Sequence, residues 1–209
     1  MFRLTRLVHF TAEASPAERA AVAASLQRIS EHLLVAPTLP GVHNGGDLIA
    51  QFRFADEAHW KATEPRLAAV LHGPSVAHVD SAFHAAGSAE AKAPRLEGGV
   101  YRALFLSIDS GTEPGVVERF EAEMRAMPRY IAPIANCRLG RVMHAGGARR
   151  WTHVWEQEYA SLADLAGPYM AHPYHWGWVD RWFDAECPQR IVDPLLCHSF
   201  CALRRSVLA

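Results

Sequence analysis

Apolar residues along this chain alternate between two spacings, and the switches divide it into two similar halves. Residues 4–10, Leu-Thr-Arg-Leu-Val-His-Phe, read as a strand. Ser15-Pro16-Ala17-Glu18 is a capping box with proline at the first helical position, and Val22, Leu26, Ile29 and Leu33 follow at helical spacing. Residues 37–46 form a turn-rich connection, 48–54 a strand, and Asp56-Glu57 opens a further helical stretch. Residues 67–83 are expected to be helical with a break near Gly73-Pro74, and 86–98 have linker composition. The order then recurs. A strand is expected over 100–108, and a helix over 113–127 with Val116, Val117, Phe120, Met124 and Met127 toward the core. Strands over 137–144 and 152–159 flank a Gly-rich turn, helices cover 163–170 and 175–183, and a final strand covers 191–202.

Individual residues suggest how the halves align. Arg6 matches Arg102, and Ala36-Pro37 matches Ala132-Pro133, both at an offset of 96. Phe54 matches Tyr159 at 105, and His72, Val79, Asp80 and Phe83 match His172, Val179, Asp180 and Phe183 at 100. The pattern reads as a duplication. Each unit is β-α-β-β-α with a closing strand, the ferredoxin-like pattern of the α+β class. Its helices cover one face of the sheet, so the other face must be buried, and two such sheets packed face to face achieve this. The first repeat spans residues 1–86, the linker 87–98 and the second repeat 99–209.

Composition narrows the function classes. The chain has 209 residues, half of them hydrophobic, and a formal charge of -1. That is enough chain for a full core and lacks the basic footprint of a nucleic-acid binder. No apolar run approaches the roughly 20 residues that span a bilayer. The start, Met-Phe-Arg-Leu-Thr-Arg, passes directly into a strand pattern without a signal peptide's apolar core, so a cytoplasmic location is expected. Cys137, Cys187, Cys197 and Cys201 do not make a disulfide framework. Cys197, Ser199 and Cys201 fall on one strand face and His198 on the other, a poor zinc arrangement. Phosphate-binding glycine loops, serine-hydrolase elbows and His-Glu-x-x-His are missing, which disfavours nucleotide-dependent and serine-hydrolase chemistry, while a metal site of His153, His172 and His175 is geometrically open.

The densest chemistry lies in Tyr169-Met-Ala-His172-Pro-Tyr-His175-Trp-Gly-Trp178, preceded by Trp151-Thr-His153-Val on a strand and Leu162-Ala-Asp164-Leu at a helix start. With these residues the second half resembles the stress-responsive A/B-barrel (Dabb) family of the dimeric α/β-barrel superfamily. Residues 1–86 resemble it only in outline. The resemblance implies that two fused halves form one intrachain α/β barrel where family members use two chains, which leaves dimerisation through another surface open. Catalytic members of the olivetolic acid cyclase type use a tyrosine and a histidine of this run without metal or cofactor. By that resemblance the catalytic pair is Tyr169 and His175, with His153 as the strand histidine. Arg102 stands where a first-strand pocket histidine is expected, and a guanidinium suits a carboxylate substrate.

From the residues alone, Arg102 shares a strand face with Leu104, and His153 with Trp155; if that face is the barrel interior, a cation and an imidazole line an aromatic pocket. His172 is either a pocket residue or the brace of the helix–Pro173 junction. His175 at a helix start is favoured as neutral imidazole, the form a general base needs. Trp155, Trp178 and Arg6 complete the expected substrate-binding set, with plain packing as their alternative. The leading expectation is a cofactor-independent lyase or cyclase acting on a small aromatic or polyketide-like carbonyl compound, with aldol-type bond formation or cleavage, or isomerisation. A cofactor-free monooxygenase or haem-handling barrel, and a non-catalytic stress-response ligand binder, are the alternatives.

Overall fold

The structure is a computed structural model and describes residues 1–87 and 89–209. Strand β1 (Phe2–Phe10) leads through the capped helix α1 (Pro16–Gln27) to β2 (His32–Pro37) and β3 (Leu48–Phe54). Helix α2 (Glu57–Leu71) and β4 (Val76–Ala85) complete the first half. A two-residue strand β5 (Glu90–Ala91) precedes β6 (Val100–Leu106), α3 (Pro114–Tyr130), β7 (Asn136–Gly146) and β8 (His153–Tyr159). The short α4 (Leu162–Asp164) runs into π-helical turns at Leu165–Tyr169 and His175–Val179 and a 3₁₀ turn at Asp180–Trp182, and β9 (Cys197–Ala202) ends the fold.

All the pairings are antiparallel, in the order β2-β3-β1-β4-β7-β8-β6-β9. Each half therefore has the ferredoxin-like strand order. The halves join where Ser81–His84 of β4 pair with 142–146 of β7. Bridges Thr38↔Cys201 and His43↔His198 close the opposite seam, so the two sheets form one barrel within the chain. Two hydrophobic cores lie outside it, one per half, between sheet and helices. A third, with Leu7, Ile49, Ala82, Tyr101, Phe105 and Val154, fills part of the interior.

The interior also holds polar groups, and these tie the halves together. Gln51 of β3 donates to the Tyr101 hydroxyl at 2.9 Å, and that hydroxyl donates to Glu156 at 2.7 Å. Gln51 also donates directly to Glu156 and accepts from Arg3 at 3.2 Å. The buried imidazole of His84 lies 3.7 Å from Glu156 and packs on Gly140, where any Cβ would collide with the ring. Residues near the C-terminus cap one end: Arg3 donates to the Val207 carbonyl at 2.6 Å, Arg138 to the Leu208 carbonyl at 3.0 Å, and both backbone N–H groups donate to Glu158.

Several elements differ from expectation. The α1 helix ends at Gln27, and the residues after it form β2, a strand the helical spacing through Leu33 had absorbed. Residues 76–83 belong to strand β4, not a helix: Val79, Ser81 and Phe83 face the helices while Asp80, Ala82 and His84 face inward. The match at offset 100 therefore has no structural counterpart, since Asp80 is on a strand and Asp180 on a 3₁₀ turn. Ala36-Pro37 lies on β2 whereas Ala132-Pro133 lies between α3 and β7. Arg6 and Arg102 do correspond, each on the central strand of its half. The expected linker, apart from Ser88, which lies outside the described residues, is docked: β5 pairs with β7, and Lys92 Nζ donates to the carbonyls of Pro128 and Ala132. Among the described residues no helix is long and apolar enough to cross a membrane.

Because Glu156 is fully buried beside Arg3, Arg138 and His84, its removal strands buried cationic and donor groups. Glu156→Ala is expected to lower unfolding stability by about 3–5 kcal/mol in denaturant titration. A loss below 1 kcal/mol would show that the interior network does not hold the sheets together.

Candidate functional site

On β6, Arg102 has Gln157 of β8 and Phe200 of β9 as cross-strand partners, so all three project from the same face. That face looks toward α3 and the segment 162–183 that follows β8, not into the barrel, where Tyr101, Ala103 and Phe105 point. The pocket face is thus the sheet–helix side, because the odd-numbered residues of β6 take the interior.

The segment after β8 delivers the other side chains. Ser161 caps α4 by accepting from the Asp164 N–H at 3.1 Å. Pro168 lacks an N–H, and the helix widens into a π-turn around it that turns Tyr169 inward, 2% exposed. At Pro173 the chain breaks again. His172 Nδ1 accepts from the Tyr174 N–H at 3.1 Å, so His172 braces this junction. Beyond it, Glu123 of α3 anchors the segment, accepting from Arg181 at 2.6 Å and from the Trp182 indole at 2.7 Å.

Three expected residues come together. Arg102 Nη1 donates to the Tyr169 hydroxyl at 3.1 Å, and the Tyr169 ring lies 4.6 Å from that of His175. Arg102 Nη1 also donates to Gln157 Oε1, and Nε donates to His198 Nε2 at 2.9 Å. Nη2 makes no hydrogen bond among the described residues. Burial, then the charge of Arg102 and of His172, pushes His175 down to about 4. The expected neutral imidazole is present, but its cause is burial beside a cation; the helix start is a single π-turn. Arg102 and then burial push His198 down to about 2. Asp180, with Oδ2 3.7 Å from His175 Nδ1, is raised by burial and Asp184 against the opposing pull of Arg102. Around this cluster, Gln157 Nε2, Tyr159 OH, Trp155 Nε1 and His175 Nδ1 are buried without a hydrogen-bond partner among the described residues.

Other expected residues lie elsewhere. His153 shares the face of Gln157 but sits four residues along β8, about 13 Å at the rise of a strand. It is held by Thr152 and, at 3.0 Å, by Glu121 of α3. Against the opposing effect of burial, Arg141, His153 and Arg125 pull Glu121 down to about 2. Burial lowers His153. Trp155 is a fully buried wall beneath the helices. Trp178 is turned to the surface, 45% exposed, with the Arg181 guanidinium stacked 3.8 Å from its ring. Arg6 is in the other half, ion-paired to Glu64 of α2. Gln157, Tyr159 and His198 were not anticipated. The first two alternate with His153 and Trp155, so the period of the strand already placed them on this face. His198 opposes Cys197, Ser199 and Cys201 as expected, with the last two inside the barrel. Among the described residues, no three His, Cys, Asp or Glu side chains are grouped to hold a metal ion.

Four imidazoles with lowered values, His84, His153, His175 and His198, fix the acid response of the fold. Unfolded histidine titrates near 6.5, so these groups stabilise fully above that value and less as pH falls toward their folded values. The urea midpoint is expected to be level above about pH 7 and to fall steadily from about 6.5 to 4. His198→Gln should flatten part of that fall; a midpoint independent of pH across the window would refute the burial of neutral histidines.

Comparison with known proteins agrees with this architecture. The fold is similar to that of an anthrone oxidase-like protein, with a TM-score of 0.67, 7% identity, and coverage of 98% of this chain and 92% of that one. A mutant chlorite dismutase from Candidatus Nitrospira defluvii superposes with a TM-score of 0.56 at 9% identity, covering 99% and 92%. A candidate monooxygenase from Lactobacillus acidophilus NCFM gives 0.52 at 11% identity, covering 100% and 98%. These identities show a shared fold alone. A search of curated proteins finds no match. Residues 100–193, which carry Arg102, Gln157, Tyr169 and His175, match the family described as the stress responsive A/B barrel domain.

Proposed function

We propose that the second half is the active half of a cofactor-independent enzyme that moves a proton on a small aromatic or polyketide-like carbonyl compound. The observation that carries this reading is His175: a neutral imidazole with no hydrogen-bond partner among the described residues, packed against a tyrosine that a cation polarises. His175 takes a proton from the carbon next to the carbonyl. Tyr169 accepts from Arg102, which leaves its own hydroxyl proton to donate to the developing enolate oxygen. Arg102 Nη2 remains for a substrate carboxylate. Aldol-type cyclisation and isomerisation begin with this step; retro-aldol cleavage begins when His175 takes the proton of a β-hydroxyl instead, and the C–C bond then breaks to release the enolate. His153, at its distance, acts on the site only through the strand. The paired positions of Arg6 and Arg102 support descent of the two halves from a duplicated unit.

The anthrone oxidase-like and monooxygenase neighbours favour a second reading, cofactor-free oxygenation, in which the same proton removal gives a carbanion that reacts with O₂. A haem does not fit this face: Tyr169, Trp155 and Trp182 fill it, none more than 2% exposed.

The test needs no knowledge of the complete reaction. Aryl ketones bearing a carboxylate are incubated in D₂O and exchange of the α-protons is followed by NMR. His175→Ala is expected to slow exchange by about 10²–10⁴-fold. Tyr169→Phe should slow exchange with little change in KM, whereas Arg102→Gln should raise KM for carboxylated substrates. Exchange that survives His175→Ala would refute the base assignment, and ligand affinity without exchange would favour a binding protein. Oxygen uptake coupled to exchange would select the oxygenase reading.

A further inference from the structure

The first half contains a cavity of about 580 Å³ between α2, β4 and the outer end of β7, lined by Arg6, Trp60, Glu64, His72, His78 and His144 among others. This is within the size range of small-molecule sites. We propose that it is a second ligand site, separate from the Tyr169–His175 cluster, and that it takes a small aromatic carboxylate.

Arg6 supplies the recognition. It is nine-tenths buried and projects from the central strand onto the helix-facing side, beside Ser81 of β4. A single guanidinium nitrogen, Nη2, holds both oxygens of Glu64, at 2.5 and 2.6 Å. Its Nε is buried and donates to nothing among the described residues. Nη1 also makes no hydrogen bond among the described residues, and an acceptor oxygen arriving in the cavity would give this cation a partner there.

The remaining lining fixes the ligand's charge and shape. Glu64 is already committed, because its Oε2 also accepts from the Trp60 indole at 3.0 Å. The other titratable lining groups are the imidazoles of His72, His78 and His144; His78 lies 3.1 Å from Asp80 and His144 3.2 Å from Glu57. The cavity therefore presents an Arg6 donor without a partner among the described residues, while the carboxylates at its edge, Glu57, Glu64 and Asp80, are already paired, which favours an anionic acceptor. Trp60 is stacked on Phe83 at 4.1 Å between ring centroids, and the His144 ring lies 5.0 Å from it on a tilt. Trp60 and His144 give one end of the cavity an aromatic surface suited to an aromatic body, and Leu71 at the end of α2 and Val76 at the start of β4 line it further along.

4-Fluorobenzoate is a sufficient probe, titrated into the full chain and followed by ¹⁹F NMR. Saturable binding is expected, weakened at least 10-fold by Arg6→Gln and also weakened by His144→Ala, whose exposed side chain can be removed without disturbing the core. Glu64→Gln, which leaves Arg6 its uncompensated charge, should tighten binding severalfold. Arg102→Gln and His175→Ala should leave the Arg6-dependent component of the binding as it was. On the unmodified protein, contacts from the probe's ring protons to the Trp60 indole are expected in nuclear Overhauser spectra, a result independent of whether any variant folds. Absence of binding, binding indifferent to Arg6→Gln, contacts to Tyr169 in place of Trp60, or looser binding by Glu64→Gln would each overturn the assignment. Proton exchange at the second-half site is measured separately, so either proposal can fail while the other stands.

Discussion

Closing two antiparallel sheets on one another buries the inner side chains of both, and in this chain many of those side chains are polar. Arg3, Gln51, His84, Asn136, Arg138, Glu156 and Glu158 are all buried within the barrel. Such groups persist in a core only when they satisfy one another. Glu156 is where that condition is met, since it receives the Tyr101 hydroxyl from its own half and the Gln51 amide from the other. The two sheets are therefore keyed by directional bonds as well as by apolar contact. The interior is committed to structure, and both the Arg102 cluster and the Arg6 cavity lie on the outer, helix-facing sides.

Much of this was legible in the residues. The capping box at Ser15, the strands around Arg6 and Arg102, and the split of Cys197 and His198 to opposite faces follow from spacing that local geometry enforces. The helix-like reading of 67–83 failed because a short apolar–polar stretch after a helix fits either period until its pairing partner is known. β4 is fixed as a strand by β1 and β7, which lie far from it in sequence. The repeat at offset 100 failed for the same reason, since identical letters on a strand and on a 3₁₀ turn face different neighbours.

The site was legible in part. Sharing a strand face placed His153 on the correct side but said nothing about distance, and four residues of strand separate it from Gln157. Trp178 could not be told from Trp182 by composition: one is exposed beside Arg181 and the other is buried against α3. Tyr169 and His175 converge because two prolines, Pro168 and Pro173, interrupt the helix that would otherwise carry them. Nothing in periodicity reports a π-turn, whereas each proline does mark where regular hydrogen bonding must fail.

The two arginines show how like positions acquire unlike chemistry. Arg6 is neutralised by Glu64, a residue that the uninterrupted helix α2 presents to it. Where the broken segment replaces such a helix, Arg102 meets only the neutral groups Gln157, Tyr169 and His198, and no carboxylate lies within ion-pair distance of it among the described residues. Its charge is then spent on its neighbours. It holds His198 bare at Nε2, adds to the burial that keeps His175 neutral, and opposes the rise of Asp180. An uncompensated buried cation is a poor stabiliser. Its persistence at this position makes physical sense where a negative charge must be met, either that of a bound carboxylate or that developing on an enolate oxygen next to Tyr169.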